Sequence, residues 1–582
     1  MAASERELVS AVYHTGPVLA AAQAAGIWAD SKAYVDCPAR VPLSQVLADF
    51  CAAFGDSANL ESPGTAAAVT AFVRDHFHTQ PGDGMQAHTP ADWTPDVAWL
   101  QALQPADAVC LGTRLHALWS VLCRVSTPSP HSTLLPLPHP CFVPGDRFRE
   151  TYYWDSLFIV RGLLAVGMTA SAVGVARNLL HLVHAHGCVP NGARSYYTNR
   201  SQPPVLGALL AALDDAAALD ADLCTEAVPL LVQEWTFWTS GSHDVAIAVP
   251  GGQDAAVHRL SRYFAHWSSP RPESWREDVH TAQHVTGQDA AARKARLWRE
   301  LATAAESGWD FTSRWCPPSP VPGQLLASTR CTRVVPADLN AFLLVLARSI
   351  AKWAARLGNS GIASQFQAHA DARAAAIHAV LWDSRAAQWR DFELEGFTTS
   401  ALDACEETEQ DVHVVWTGQQ STRVFASNWV PLWCGALQPG SAEAAACCAS
   451  LRHSGLLQPG GIATTTLATG QQWDWPNAWP PLQLLLAEGV DVHCGATGEQ
   501  LSAAIAGSYL RACAAGLDDG GVMHEKYDAT VTPGSGRANV GGGGEYAPQV
   551  GFGWSNGVAL AMLRRHGGIP DVTLADVLAY SE

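Results

Sequence analysis

Two short stretches of this chain place an acid where it could handle a proton. Glu306-Ser-Gly-Trp-Asp310-Phe-Thr-Ser-Arg-Trp315 sets Asp310 among Trp309, Phe311 and Trp315. A carboxyl group walled by rings is partly stripped of water, which favours its neutral form and suits a general acid. Taken alone, the same Asp could cap a helix or pair with Arg314. Met523-His-Glu525-Lys526-Tyr527-Asp528 offers a second carboxylate, Glu525, beside charged and hydroxyl groups. An ionised carboxylate able to hold a water is what a general base requires. Alone, Glu525 and Lys526 would equally make an ion pair on an exposed turn.

Other segments could supply a ligand's surroundings. Arg147-Phe-Arg-Glu-Thr-Tyr-Tyr-Trp154-Asp155 and Gln472-Trp473-Asp-Trp-Pro-Asn-Ala-Trp-Pro480 each mix carboxylates, a basic or amide group and large rings. Flat rings stack on sugar faces and charged groups hold hydroxyls, so the pair suggests a carbohydrate site. The 22 Trp of the chain strengthen that reading, because Trp is the costliest ring to place. Asn191-Gly-Ala-Arg194, Asn199-Arg200-Ser201-Gln202 and Pro270-Arg271-Pro-Glu273-Ser-Trp275 add forked Arg and amide groups suited to paired hydrogen bonds. As isolated segments they could be ordinary loop ion pairs. Gly541-Gly-Gly-Gly-Glu545-Tyr546 lets the backbone approach a ligand closely, and no Gly-Lys-Ser/Thr comes after it to make a phosphate loop. His181, His184 and His186 do not fall on one helical face, and no H-E-x-x-H occurs, so no metal is expected.

Helices must position these groups. Asp338–Gly358 sets Leu339, Phe342, Leu343, Leu346, Ile350 and Trp353 on one face, opening on Asp and stopping at Gly. Similar patterns run from Trp154 to His186, Val205 to Trp238, Gly361 to Trp382, Ser441 to Leu451, Trp479 to Glu488, Thr497 to Ala514 and Asn556 to Arg565. Strand signals are few and short, and the motifs sit in loops or at helix ends. One helical domain over residues 1–582, with 1–75 as an N-terminal helical arm, explains this better than a string of modules.

Composition narrows the partners. The chain is 48% hydrophobic and 15% charged, with net charge −18, so it can bury a large core. Nucleic acid and anionic membrane are poor candidates, because phosphate binding needs concentrated Lys and Arg. No window reaches the run of apolar residues a spanning helix needs. Fifteen cysteines without a C-x-x-C pair, and a charged start, point to buried thiols in the cytoplasm. A monomer is expected.

Taken in order, these segments resemble the trehalases of glycoside hydrolase family 37. Pro144-Gly-Asp-Arg-Phe-Arg-Glu-Thr-Tyr-Tyr-Trp-Asp155 resembles that family's first signature and Gln472–Pro480 its second. The agreement runs from Asp30-Ser-Lys-Ala-Tyr-Val-Asp36 to Gly551-Phe-Gly-Trp-Ser-Asn-Gly557. The resemblance implies an all-α (α/α)6 barrel with short strands and long loops at the active-site mouth. It also implies hydrolysis of α,α-trehalose to two glucoses with inversion, without metal or organic cofactor. By motif, Asp310 would be the proton donor and Glu525 the base. Arg147, Trp154, Asp155, Asn191, Arg200, Ser201, Gln202, Arg271, Glu273, Gly308, Trp473 and Glu545 would grip the two rings. Two departures stand out: Asp146 replaces the usual Gly, and Ala529–Val540 reads as an insertion between Glu525 and Glu545. Two other readings stay open. One is another (α/α)6 enzyme, either an α-glucoside hydrolase or a disaccharide phosphorylase; the other is a catalytically silent trehalose-binding protein.

Overall fold

The computed structural model describes residues 4–579, apart from 56–63, 80–83, 130, 146, 250–255, 321–322, 396–414 and 522. Twelve of the described helices alternate between an outer and an inner ring. In chain order they are α1 Ala106–Leu122, α2 Asp155–Ala165, α3 Thr169–His186, α4 Leu206–Asp215, α5 Ala221–Trp238 and α6 Ala337–Arg356. They continue with α7 Ser360–Ala376, α8 Val430–Trp433, α9 Ala442–Arg452, α10 Pro480–His493, α11 Gly495–Gly520 and α12 Gly553–His566. The even-numbered helices pack each on the next, and α12 closes against α2. The odd-numbered helices lie outside them. This is an (α/α)6 barrel.

Composition explains which helices go inside. Helix α6 buries Leu339, Phe342, Leu343, Leu346, Ile350 and Trp353, and also Asp338, Asn340 and Ser349, so it is enclosed nearly all round. Its outer partner α7 buries only a stripe that includes Phe366 and Ala370. Pro480 and Pro481 start α10, where a missing N–H leaves no bond unmade. Gly358 and Gly567 come after α6 and α12 at φ +76° and +68°, the left-handed stop expected of Gly.

Two expectations need correction. The pattern from Trp154 to His186 is two helices, broken where Gly167 turns at φ +80°, and Val205 to Trp238 breaks at Ala217, φ +55°. Asp338 does not cap α6; its carboxylate accepts two hydrogen bonds from Arg314, both at 2.8 Å. A mixed sheet of five short strands also stands beside the barrel. It joins β1 Asp244–Val249, β2 Ala256–Ser261, β3 Val334–Val335, β4 Phe392–Glu395 and β5 Val415–Gln420 in the order β2-β1-β5-β4-β3.

The N-terminal residues build a separate apolar cluster around Val12, Tyr13, Tyr34, Val46, Phe50 and Phe72, into which Tyr152, Tyr196 and Tyr197 project. Beneath it lies a buried ionic knot. Lys32 Nζ bonds Asp36 at 2.5 Å and Glu150 at 3.1 Å, and Arg194 bonds Glu150 at 2.8 Å. The segment therefore grips the loops that carry Arg147 and Arg200. No helix among the described residues is long and apolar enough to cross a membrane.

Candidate active site

Each chain segment that runs from an outer helix to the next inner one emerges at the same end of the barrel. Five of these segments line a cleft there. They contribute residues 144–155, 191–202, 271–310, 472–479 and 525–554. Helix ends and loops thus carry the chemistry while the rings hold them.

Asp310 lies just after the helix Ala290–Glu306, where Gly308 turns the chain at φ +72°. A Cβ at Gly308 would sit 3.3 Å from the Trp154 ring, so only Gly lets the strand pass this close. The residues just beyond Asp310 are pinned by the second aromatic segment. Asp474 accepts from Thr312 Oγ1 at 2.7 Å, Ser313 N at 2.8 Å and Ser313 Oγ at 3.0 Å, and also from Thr469. Trp473 N donates to the Phe311 carbonyl at 3.0 Å, and Gln472 Nε2 donates to the carbonyl of Asp310 itself. Trp473 stacks on Trp479 at 3.9 Å and on Trp309 at 5.0 Å, forming a three-ring wall. Arg314 belongs to Asp338 and Asp391, not to Asp310.

The same segment holds Glu525. Strand β6 Asn477–Ala478 pairs antiparallel with β7 Tyr527–Asp528, setting Asn477 opposite Asp528 and Ala478 opposite Tyr527. Lys526 Nζ donates to Gln472 Oε1 at 2.9 Å, so one amide side chain touches both acid-bearing segments. Three donors converge on the Glu525 carboxylate. Tyr546 OH reaches Oε1 at 2.8 Å, Gln549 N reaches Oε2 at 3.4 Å, and Lys526 Nζ lies 3.5 Å from Oε2. Glu525 and Lys526 are both buried, so they are no pair on an exposed turn.

Burial and neighbouring charge separate the carboxyl groups of the cleft. Burial pushes Asp310 up to about 6, against the pull of Arg271, and Glu525 adds to the rise. Burial raises Asp155 well above the usual carboxylate range, with Glu525 and Asp310 adding to it. Glu545 is raised by burial to about 7 although Arg271 Nη2 donates to it at 3.1 Å. At Glu273 the upward push of burial is outweighed by Arg200, at 2.5 Å, and by Arg271, so it lies below the ordinary range. Arg271 is itself held by Asp278, with Nη2 to Oδ1 at 2.6 Å. The cleft thus holds an acid that keeps its proton up to about pH 6, a carboxylate clasped by donors, stacked rings and anchored guanidinium groups. That set can protonate a leaving oxygen and activate a water.

Asp310, Glu525, Arg147, Trp154, Asp155, Asn191, Arg200, Gln202, Arg271, Glu273, Gly308, Trp473 and Glu545 all line this cleft. Ser201 does not. Its hydroxyl donates to the Val189 carbonyl at 2.6 Å and its N–H to Glu306 at 3.0 Å, so it braces the wall from behind. Asp146 lies outside the described residues. None of Ala529–Val540 reaches the cleft; 532 and 534–538 are exposed. Tyr546, Tyr197, Gln472, Phe148 and Trp554 line the cleft without having been singled out. Gln472 and Tyr546 sit inside motifs already distinguished, but Tyr197 carries no local mark.

Known proteins match the chain over most of its length. The model of the trehalase family matches residues 26–567. The chain is 37% identical over 549 residues to the trehalase of Arabidopsis thaliana, covering 92% of this chain and 82% of that one. It is 35% identical over 569 residues to the trehalase of Homo sapiens, covering 96% and 90%. The neutral trehalase Nth1 of Saccharomyces cerevisiae shares the fold, with a TM-score of 0.54 at 22% identity over 74% of this chain and 75% of that one. With its sequence matched over nearly its full length and its acids gathered at the mouth of such a barrel, this chain belongs to the trehalase family.

Proposed function

We propose that the protein hydrolyses α,α-trehalose to two molecules of glucose with inversion at the attacked carbon. Asp310 is the proton donor and Glu525 the base. Glu525 takes a proton from a water as its oxygen attacks one anomeric carbon, and the bond from that carbon to the bridging oxygen breaks. Asp310 gives its proton to that oxygen. One glucose leaves with its α configuration kept and the other forms as β. Proton exchange with solvent then resets both carboxyl groups. The observation that carries the reading is the pairing, in one cleft, of an acid raised to about 6 with a carboxylate that accepts from Tyr546 and Gln549. An inverting pair needs room for a water between its members, about 6.5–9.5 Å.

Arg147, Asn191, Arg200, Gln202, Arg271, Glu273 and Glu545 hold the sugar hydroxyls, and Trp154 and Trp473 offer ring faces. Asp155, which burial makes slower to give up its proton than an ordinary carboxyl, faces a hydroxyl. The chain works as one catalytic unit in which residues 1–75 form an arm, and it acts as a monomer. A cytoplasmic setting accords with the fourteen described cysteines, all of them free thiols.

Proton NMR of the first turnovers tests the reaction: equal α- and β-glucose is expected. Two α-glucoses would exclude inversion, and glucose 1-phosphate appearing only with added phosphate would make the enzyme a phosphorylase. Asp310→Asn should lose turnover. Glu525→Ala should also be inactive and recover in part with azide, giving the β-glucosyl azide. An active Glu525→Ala beside an inactive Glu545→Ala would transfer the base role to Glu545.

A further inference from the structure

Glu525 depends on a hydroxyl that comes from a distant loop, and that loop is held by a cation anchored to the N-terminal segment. Tyr546 OH donates to Glu525 at 2.8 Å. The Arg147 guanidinium lies 4.6 Å from the Tyr546 ring centroid, and Phe148 meets the same ring edge-on at 5.4 Å. A cation over a ring within about 6 Å of its centroid is attracted to it. Arg147 is mostly buried, and its orientation is set by Asp30. That carboxylate accepts Arg147 Nε at 2.6 Å and Nη2 at 3.0 Å. Two parallel charge-assisted bonds fix direction as well as distance. Asp30 is in turn fixed, since its Oδ1 accepts from Lys32 N at 2.9 Å while Lys32 Nζ is locked into the ionic knot. Contacts of the same segment on the neighbouring wall reinforce this. Gln23 Nε2 donates to the Pro272 carbonyl at 3.3 Å and Ser31 Oγ to Glu277 at 2.7 Å.

We propose that Asp30 is a positioning residue for the reaction: it holds Arg147 over Tyr546, and Tyr546 thereby stays hydrogen-bonded to Glu525. The N-terminal segment is then part of the catalytic apparatus, although Asp30 is not among the residues that line the cleft. The proposal rests on the reading of Glu525 as the base. An ordinary exposed ion pair would contribute little. Here the pair orients a guanidinium committed to a second contact.

A double-mutant cycle tests this, with kcat and KM for trehalose, the pH profile of kcat/KM and the thermal midpoint measured for each protein. Asp30→Asn should lower kcat/KM about tenfold, the size expected when a hydrogen bond to a charged group is lost. It should shift the acidic limb of the profile and leave the thermal midpoint unchanged. Asp30→Glu should recover much of the loss. In a Tyr546→Phe background, Asp30→Asn should cost less than about twofold more, because its route to Glu525 is already cut. Equal losses in both backgrounds, no loss at all, or a loss that only tracks a fall in thermal midpoint would each overturn the proposal. An error in the base assignment shows separately, as turnover retained by Glu525→Ala whatever the cycle gives.

Discussion

Raising the pH through the titration of Asp310 should switch the enzyme off about two units higher than an ordinary Asp would allow. An Asp in water loses its proton near 3.8, whereas burial carries Asp310 to about 6. At pH 6 about half of the free enzyme then holds the proton, and at pH 8 about one molecule in a hundred, so kcat/KM should fall ~50-fold between them. With an unshifted acid the loaded fraction at pH 6 would already be below about one in a hundred. The assay is initial glucose release at trehalose far below KM, in buffers of constant ionic strength. Glu545, raised to about 7, titrates nearby and must be separated. Asp310 raises Glu545, and the coupling is reciprocal, so Glu545→Gln should move the limb to lower pH without removing it. A parent limb centred below about pH 5, or a limb that vanishes in Glu545→Gln, would refute the reasoning. The same shift has a sign for stability. The folded chain holds this proton more tightly than the unfolded one, so the contribution is complete below 3.8 and is lost as pH rises through about 6. Asp310→Asn should therefore be more stable than its parent above that pH, by up to about 3 kcal/mol, though inactive.

Two further substitutions probe the supports of the site. Asp474→Ala removes the acceptor shared by the buried Thr312 and Ser313 and the exposed Thr469; a loss of roughly 3–5 kcal/mol in chemical denaturation is expected. A loss under about 1 kcal/mol would mean that the loop finds other acceptors. Gly544→Ala would set a methyl group 2.7 Å from Gln472 Oε1, at a residue with φ +94°. KM for trehalose should rise several-fold as Glu545 and Tyr546 are displaced, and an unchanged KM would show that this loop does not shape the cleft.

The helices could be read from sequence because α6 and its neighbours repeat apolar residues with a helical period. Their breaks could not. Ala217 adopts a left-handed turn with nothing local to announce it, and Asp338 has the composition of a cap yet serves as counter-ion to a residue 24 positions away. The five-stranded sheet could not be assembled from sequence because its strands are two to six residues long and, β1–β2 apart, pairings such as β5 with β1 and β3 with β4 join segments far apart in the chain. Most of the cleft was legible because rare residues cluster in contiguous motifs. Tyr197 was not, since a Tyr facing a cavity and a Tyr packed in a core look alike in one dimension. Ser201 shows the converse: membership in a motif does not tell which way a side chain points.

Asp310 and Glu525 are linked to each other by one short segment, while α12 also holds Glu525 through Trp554 Nε1, which donates to its carbonyl at 3.0 Å. Both are fastened to a single nonapeptide, Gln472–Pro480, through Gln472, Trp473, Asp474 and the β6–β7 ladder. Drift of an outer helix is therefore insulated from the gap between the two carboxyl groups, whereas α10 and α12 of the inner ring are joined to it. Changes on the outer helices should alter heat tolerance and leave the stereochemistry of the product alone. Loops at the rim are the place where a different sugar could be accommodated without respacing the pair.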